Sequence, residues 1–209
     1  MTETTSGLRA RLIETGVDLL NREGIPSLTL REIARRAGVS HGAPRRYFPT
    51  HLALLSAIAQ EGFAELAEKV GATLSADGAA AAAPRERLLA LGRVYLDFAR
   101  THPGMFELMF RHDLLESGEL GLRETTLPLF DVLVDLVGRA HPRKEPAPTV
   151  VAGALWANLH GIAQLWRWGS LPLATGCDDV EPLLRAALDA HLGTEPGPET
   201  APMTGPEGR

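Results

Sequence analysis

Apolar residues recur at intervals of three and four along nearly the whole chain, and strict alternation is sustained nowhere, so the pattern predicts helices and no strands. Leu8, Leu12, Ile13, Gly16, Leu19 and Leu20 give a first helix, over residues 6–22, one inner face. Leu30, Ile33, Ala34 and Ala37 do the same for a short second helix. A third short helix follows Ser40, and a long fourth one over 51–74 carries Leu52, Leu55, Ala59, Phe63, Leu66 and Val70 as a continuous stripe. Further helices are predicted over 84–100, 120–138, 149–168 and 178–191, with a short, very apolar segment at 105–110. The breaks between them are rich in Pro, Gly and Ala: 21–26, 76–84, 102–104 and 141–148. The tail from Gly193 is Gly, Pro, Thr and Glu with one Met and is expected to be disordered. The fold class expected is all-α, with about nine helices.

Between residues 29 and 48 the punctuation is dense. Thr29 and Glu32 stand as a Thr-x-x-Glu capping box at the start of the second helix. Gly38 follows its last periodic residue, where a left-handed position stops a helix. Ser40 is a good N-cap for the next helix, which bears His41, Arg45 and Arg46. Two short helices joined by a tight turn, one apolar face docking the pair and a second element rich in basic residues, are the parts of a helix-turn-helix that enters a major groove.

Net charge over the 209 residues is −5, which by itself argues against nucleic acid, but its distribution points the other way. Residues 1–50 hold eight Lys/Arg against five Asp/Glu, and residues 51–209 hold thirteen against twenty-one. A basic head of +3 on an acidic body of −8 leaves the head as the surface for DNA. Cys177 is the one cysteine, so an intrachain disulfide and a thiolate-clustered metal site are excluded. The first residues lack the basic and apolar regions of a signal peptide, and no apolar run approaches 18 residues, so a soluble, cytoplasmic protein is expected.

The residues Thr29-x-Arg31-x-Ile33-Ala34-x-x-Ala37-Gly38-Val39-Ser40, then Gly42, then Tyr47-Phe48-Pro49, resemble the TetR (tetracycline repressor) family of transcriptional regulators. In the body, Trp156-x-x-x-His160-Gly161 and the stretch 95–106 resemble the subfamily with a C-terminal Trp-His-Gly domain. The resemblance implies an N-terminal helix-turn-helix head over 6–51, a ligand-binding and dimerisation body over 52–192, a tail over 193–209, and a homodimer joined through helices eight and nine. Three positions depart from the family: Pro44 stands for a hydrophobic residue, Arg45 for a tyrosine and His51 for a lysine. Pro44 costs one hydrogen bond to the Ser40 carbonyl, Arg45 puts a permanent charge where phosphate or guanine is met, and His51 puts an imidazole where the family's ammonium meets phosphate, which weakens that contact.

In this docking mode the first half of the third helix reads bases. Ser40, His41, Gly42, Ala43 and Arg45 are therefore the expected readers, with Gly42 and Ala43 small enough for close approach. Thr29, Arg31, Arg46, Tyr47 and His51 are better placed for phosphates, which fix register. Arg35 and Arg36 read equally well as solvated charges. The partner implied is a double-stranded, roughly palindromic operator.

In the body, Met105, Phe106, Met109 and Phe110 form a soft patch on which Tyr95, Phe98, Phe130 and Leu133 converge, the expected wall of a pocket for an apolar small-molecule effector. Ordinary core is the competing reading for each of them. Trp156 and His160 share a helix face and belong to the pocket, the core or the dimer interface. Gly153, Ala157 and Gly161 make a small-residue stripe on a helix apolar nearly all round, and Leu183, Leu184, Ala187 and Leu188 would supply the matching face of the last helix, so these seven are the expected dimer contacts. No cofactor is expected. An all-α enzyme using His102, His112 and Asp113 or Glu116 lacks any motif or metal spacing. A helical ligand-binding or scaffolding module whose helix-turn-helix only packs is the stronger rival; the outward arginines argue against it.

Overall fold

In the computed structural model, residues 3–194 are described apart from 77, 80, 118–120 and 142–144. Among these residues the chain forms ten α-helices and no strand. They are α1 (Glu3–Glu23), α2 (Leu30–Arg36), α3 (His51–Ser75), α4 (Pro84–Thr101), α5 (Pro103–Met109), α6 (His112–Ser117), α7 (Leu122–Ala140), α8 (Pro148–Arg167), α9 (Ser170–Thr175) and α10 (Glu181–Leu192). Proline opens α4, α5 and α8, where its missing N–H would have no intrahelical partner.

Most of the expected helices are present within a few residues of their predicted ends. The exception is the third: Pro44–Arg46 is a single 3-10 turn, with no cap from Ser40 and turn-like backbone on either side. The cause is Pro44. It has no N–H to donate to the Ser40 carbonyl, which accepts from Ala43 at 2.9 Å instead, and the tighter i→i+3 pattern continues through Tyr47 to Pro44 at 3.0 Å. The short helices α6 and α9 go beyond the periodicity-based expectation, and the tail beyond 194 lies outside the described residues.

α1, α2 and the first half of α3 form the head. Thr50 caps α3 by accepting the Ala53 N–H at 2.9 Å. Residues 53–59 of α3 are buried throughout, because α1 packs on one side and α5 on another. Gly16 lets α1 approach α3 closely; a Cβ there would meet Ile58 Cδ1 at 2.4 Å. α4 and α7 pack against α3, α8 packs against α4 and α7, and α10 closes the body against α4 and α8. No helix among the described residues is long and apolar enough to cross a membrane.

Candidate nucleic-acid interface and ligand cavity

The turn of the helix-turn-helix is set by hydrogen bonds. After α2, Gly38 adopts φ +68°, Val39 N–H reaches the Ala34 carbonyl at 3.0 Å, and Gly38 N–H reaches Arg35 at 3.3 Å. This double closure is the Schellman arrangement, and only glycine enters it without a steric cost from Cβ. Thr29 accepts the Glu32 N–H at 3.1 Å, but the capping is one-sided. Thr29 N–H donates to the Ser27 carbonyl, and the Glu32 carboxylate turns instead to Arg35 and Arg36. Those two guanidiniums hold the Glu32 carboxyl well below the usual carboxylate range, at about 2. The shortened third element docks through buried Pro44 and Phe48, and Arg9 of α1 lies over the Phe48 ring at 5.4 Å. Pro44 thus keeps the apolar docking role while giving up α-helical geometry.

Six of the head's eight arginines, those from Arg22 to Arg46, fall into two groups. Arg22 pairs with Asp18, Arg35 with Glu32, and Arg36 with both Glu23 and Glu32. Arg31, Arg45 and Arg46 are exposed and take part in no ion pair with the described residues; exposed Ser40, His41 and Gly42 lie beside the last two. Ala43 and Tyr47 are half-buried and Thr29 is exposed, occupied as the cap of α2. His51 differs: its Nε2 bonds the Leu28 carbonyl, tying the start of α3 to the entry of α2.

Between α3, α4, α7 and α8 lies a cavity of about 390 Å³, within the usual size of a small-molecule site. Phe63, Leu66 and Val70 come from α3, Leu88, Leu91, Gly92 and Tyr95 from α4, Leu129, Phe130 and Leu133 from α7, and Leu155, Trp156 and Leu159 from α8. Phe110 closes one end. Leu115, 40% exposed, and Leu127, 55% exposed, also line it and mark its mouth. Of the expected wall, Tyr95, Phe110, Phe130, Leu133 and Trp156 line the cavity. Phe98, Met105, Phe106 and Met109 do not; they are core. For the two methionines the reason is Gly62 on α3: a Cβ there would sit 2.6 Å from Met105 Cγ and 2.7 Å from Met109 Sδ, so α5 packs directly onto α3 and its methionines fill that seam. The α3 residues of the wall are visible in sequence as an apolar stripe, which any core helix also carries.

His160 lies behind the wall rather than in it. Its Nδ1 is 2.9 Å from the Tyr95 hydroxyl, and that oxygen accepts the Trp156 indole N–H at 3.2 Å. Since the indole only donates, the phenol proton goes to Nδ1, and His160 carries its own proton on Nε2. Nε2 faces the Gln164 amide at 3.5 Å; turning that amide brings Oε1, a buried atom with no partner, to accept from it. Burial pushes the His160 pKa down and the Tyr95 pKa up, so both stay neutral. Phe106 stacks on the His160 ring at 5.2 Å, and Phe110 meets it edge-on at 4.8 Å.

On α8 and its C-cap, Val150, Ala154, Ala157, Gly161, Leu165 and Trp168 follow one another at intervals of three and four along the outer face. Val150 is 61% and Trp168 65% exposed, and a Cβ on Gly153 or Gly161 would meet nothing within 4 Å. Leu184, Ala187 and Leu188, by contrast, are buried inside the single chain; Leu184 fills the space over Gly92 of α4. They therefore cannot present the matching face, and the outward positions of α10 are half-buried Leu183 with exposed Ala186 and Ala190. The acid-base candidates do not converge. His102 lies 3.5 Å from Glu65, His112 pairs with Glu116, and Asp113 with Arg111.

A helix-turn-helix with free arginines, joined by one continuous helix to a body holding an apolar cavity, defines the class of one-component helical regulators. The chain belongs to the TetR family. Residues 12–58 match the model described as bacterial regulatory proteins, tetR family, and residues 88–191 match the tetracyclin repressor-like C-terminal domain. The HTH-type transcriptional regulator BetI of Cronobacter sakazakii is 31% identical over 141 residues, 66% of this chain and 69% of that protein. The nucleoid occlusion factor SlmA of Haemophilus ducreyi is 30% identical over 115 residues, so that match spans about half of each protein, 54% of this chain and 55% of SlmA. A solved structure of a protein of unknown function from Rhodococcus sp. RHA1 superposes with a TM-score of 0.72 at 28% identity, covering 88% of this chain and 93% of that one.

Proposed function

We propose that this protein is a cytoplasmic, homodimeric transcriptional repressor of the Trp-His-Gly subfamily, released from a palindromic operator by an apolar small molecule. The observation that carries this reading is the course of α3. It starts at His51 beside Arg45 and Arg46, and further along the same helix Phe63, Leu66 and Val70 form one wall of the cavity. A single helix thus serves both sites. Residues 6–51 act as the DNA-binding unit and 52–192 as the ligand-binding and dimerisation unit. Arg45 and His41 reach base edges, while Arg31 and Arg46 meet phosphates. Two heads spaced by the dimer address successive major grooves about 34–36 Å apart.

Release follows from the packing of α5. It carries Phe106 against His160 and Tyr95 beside the cavity, and its Gly104 lies against Leu20 of α1 in the head, where a Cβ would come within 3.2 Å of the Leu20 carbonyl oxygen. Ligand that rearranges the aromatic cluster shifts α5 and α3 together. A coupling of about 1–3 kcal/mol would weaken operator binding roughly 5–150-fold. Selection of random duplexes by the purified protein, followed by anisotropy over a salt series, tests the reading. A palindromic site bound at nanomolar concentration with a steep negative salt slope is expected; weak binding without sequence preference would overturn it.

A further inference from the structure

The polar groups of Trp156, Tyr95 and His160 at the cavity satisfy one another. Trp156 donates to Tyr95, Tyr95 donates to His160, and among the described residues the rest of the lining is aliphatic, aromatic or glycine apart from Thr126. From this we infer that the cavity selects an uncharged, largely hydrocarbon ligand with a single hydrogen-bonding group, and discriminates against organic cations and anions of the same shape. The inference rests on the effector role proposed for this cavity and narrows it.

An anion needs a free donor or a basic side chain. The indole N–H and the phenol O–H are both spent, and no Lys or Arg is among the described lining residues. A cation needs a carboxylate or a cage of ring faces. No described Asp or Glu lines the cavity, and its rings pack edge to face on one another. Phe63 and Phe110 cross at 82°, Tyr95 and Phe110 at 63°, and Phe130 and Trp156 at 62°. Thr126 already has an interaction partner, and in the Trp156–Tyr95–His160 chain one capacity remains: the Tyr95 oxygen accepts one hydrogen bond from Trp156 and keeps a second lone pair. A ligand hydroxyl can donate there without breaking the chain of bonds. The mouth is consistent with this, since Leu115, Leu127 and Trp156 form an apolar rim over which a neutral molecule enters without first shedding a charged group's hydration.

The test is competition on the full-length protein. The neutral fluorophore N-phenyl-1-naphthylamine reports occupancy, and 1-dodecanol, dodecanoate and dodecyltrimethylammonium compete below their micellar concentrations. Half-displacement by the alcohol at concentrations at least tenfold lower than by either ion is expected. Displacement by either ion within tenfold of the alcohol overturns the inference. The variant Leu127→Trp, at an exposed position where the fold tolerates bulk, narrows the mouth and is checked by its circular-dichroism melt. If wild type fails to bind the fluorophore, or the folded variant binds it undiminished, the cavity is no ligand site and the effector reading falls too. If the variant loses it while an ion competes equally, the charge preference alone is wrong.

Discussion

The Tyr95 hydroxyl and His160 Nδ1 stand 2.9 Å apart, joining α4 to α8 across the edge of the cavity. Sixty-five positions apart in sequence, the two residues also share Phe106 and Phe110 as ring neighbours, so the bond sits inside an aromatic cluster rather than at a surface. Removing the hydroxyl leaves both the Trp156 N–H and the His160 acceptor without their partner. Tyr95→Phe is therefore expected to lower stability by about 1–3 kcal/mol in chemical denaturation. Combined with His160→Phe it should cost less than the sum of the single changes, and strict additivity would show that the bond contributes nothing.

The same burial makes stability depend on pH with a definite sign. Unfolded, His160 takes a proton near pH 6.5; folded, its pKa is lower. Below 6.5, and until the folded value is passed, the unfolded chain binds more protons, so stability is full above 6.5 and falls as the pH drops through that window. A His160→Gln variant should show a flatter profile than wild type between about pH 7 and 5. Parallel profiles would remove His160 as the cause.

Gly38 and Gly42 separate folding from recognition. Neither has a neighbour among the described residues within 4 Å of where a Cβ would lie, but Gly38 holds φ +68° and Gly42 has no positive φ. Gly38→Ala should cost about 1–2 kcal/mol of stability through its backbone alone. Gly42→Ala should leave the thermal midpoint unchanged and weaken operator binding, because in the proposed docking the added methyl would meet DNA alone. Unaltered binding in Gly42→Ala would place the backbone away from the groove.

Arginines that look alike in sequence should differ in their salt dependence. Loss of Arg46, which has no ion-pair partner among the described residues, should lower the slope of log affinity against log salt by about one. Arg35→Ala, whose charge is already matched by Glu32, should change it far less. Arg45→Ala should reduce operator affinity by about 1–3 kcal/mol and relax preference at one base pair. Equal slopes for all three would mean that pairing within the head does not sort them.

The outer stripe of α8 gives a test of assembly. Ala157 is exposed at its centre, and Ala157→Glu should yield folded monomer in analytical ultracentrifugation, with operator affinity lost. Leu184→Glu should instead unfold the body, since that side chain is fully buried within one chain. A dimeric Ala157→Glu protein would move the interface elsewhere.

The head was largely legible because its features are local. Thr29, Gly38 and Thr50 act through hydrogen bonds within a few residues, and such signals survive in a linear string. Pro44 was legible as a lost bond, yet its consequence, a 3-10 turn in place of a helix, depends on how the neighbouring carbonyl finds another donor. In the body, periodicity identified which residues face inward but not what faces them. Met105 and Phe130 have equivalent patterns; Met105 meets Gly62 on a packed helix and Phe130 meets open space, and that difference is set by a glycine far away in sequence. Leu127 carries no signal of its own, since an exposed leucine becomes a rim only when α6 and α7 are placed.

The length of α3 has a mechanical consequence. About 16 Å of helix separates Gly62, clamped against two methionines, from His51 at the head. With α3 and α5 turning together about that seam, a rotation of roughly 10° carries the head end by about 3 Å, given a rise of about 1.5 Å per residue. That is close to the reach of one hydrogen bond, and in a dimer the two heads move in opposite senses. Under the proposed mode of release, ligand need only turn a lever slightly for both arginine sets to lose their register on the grooves.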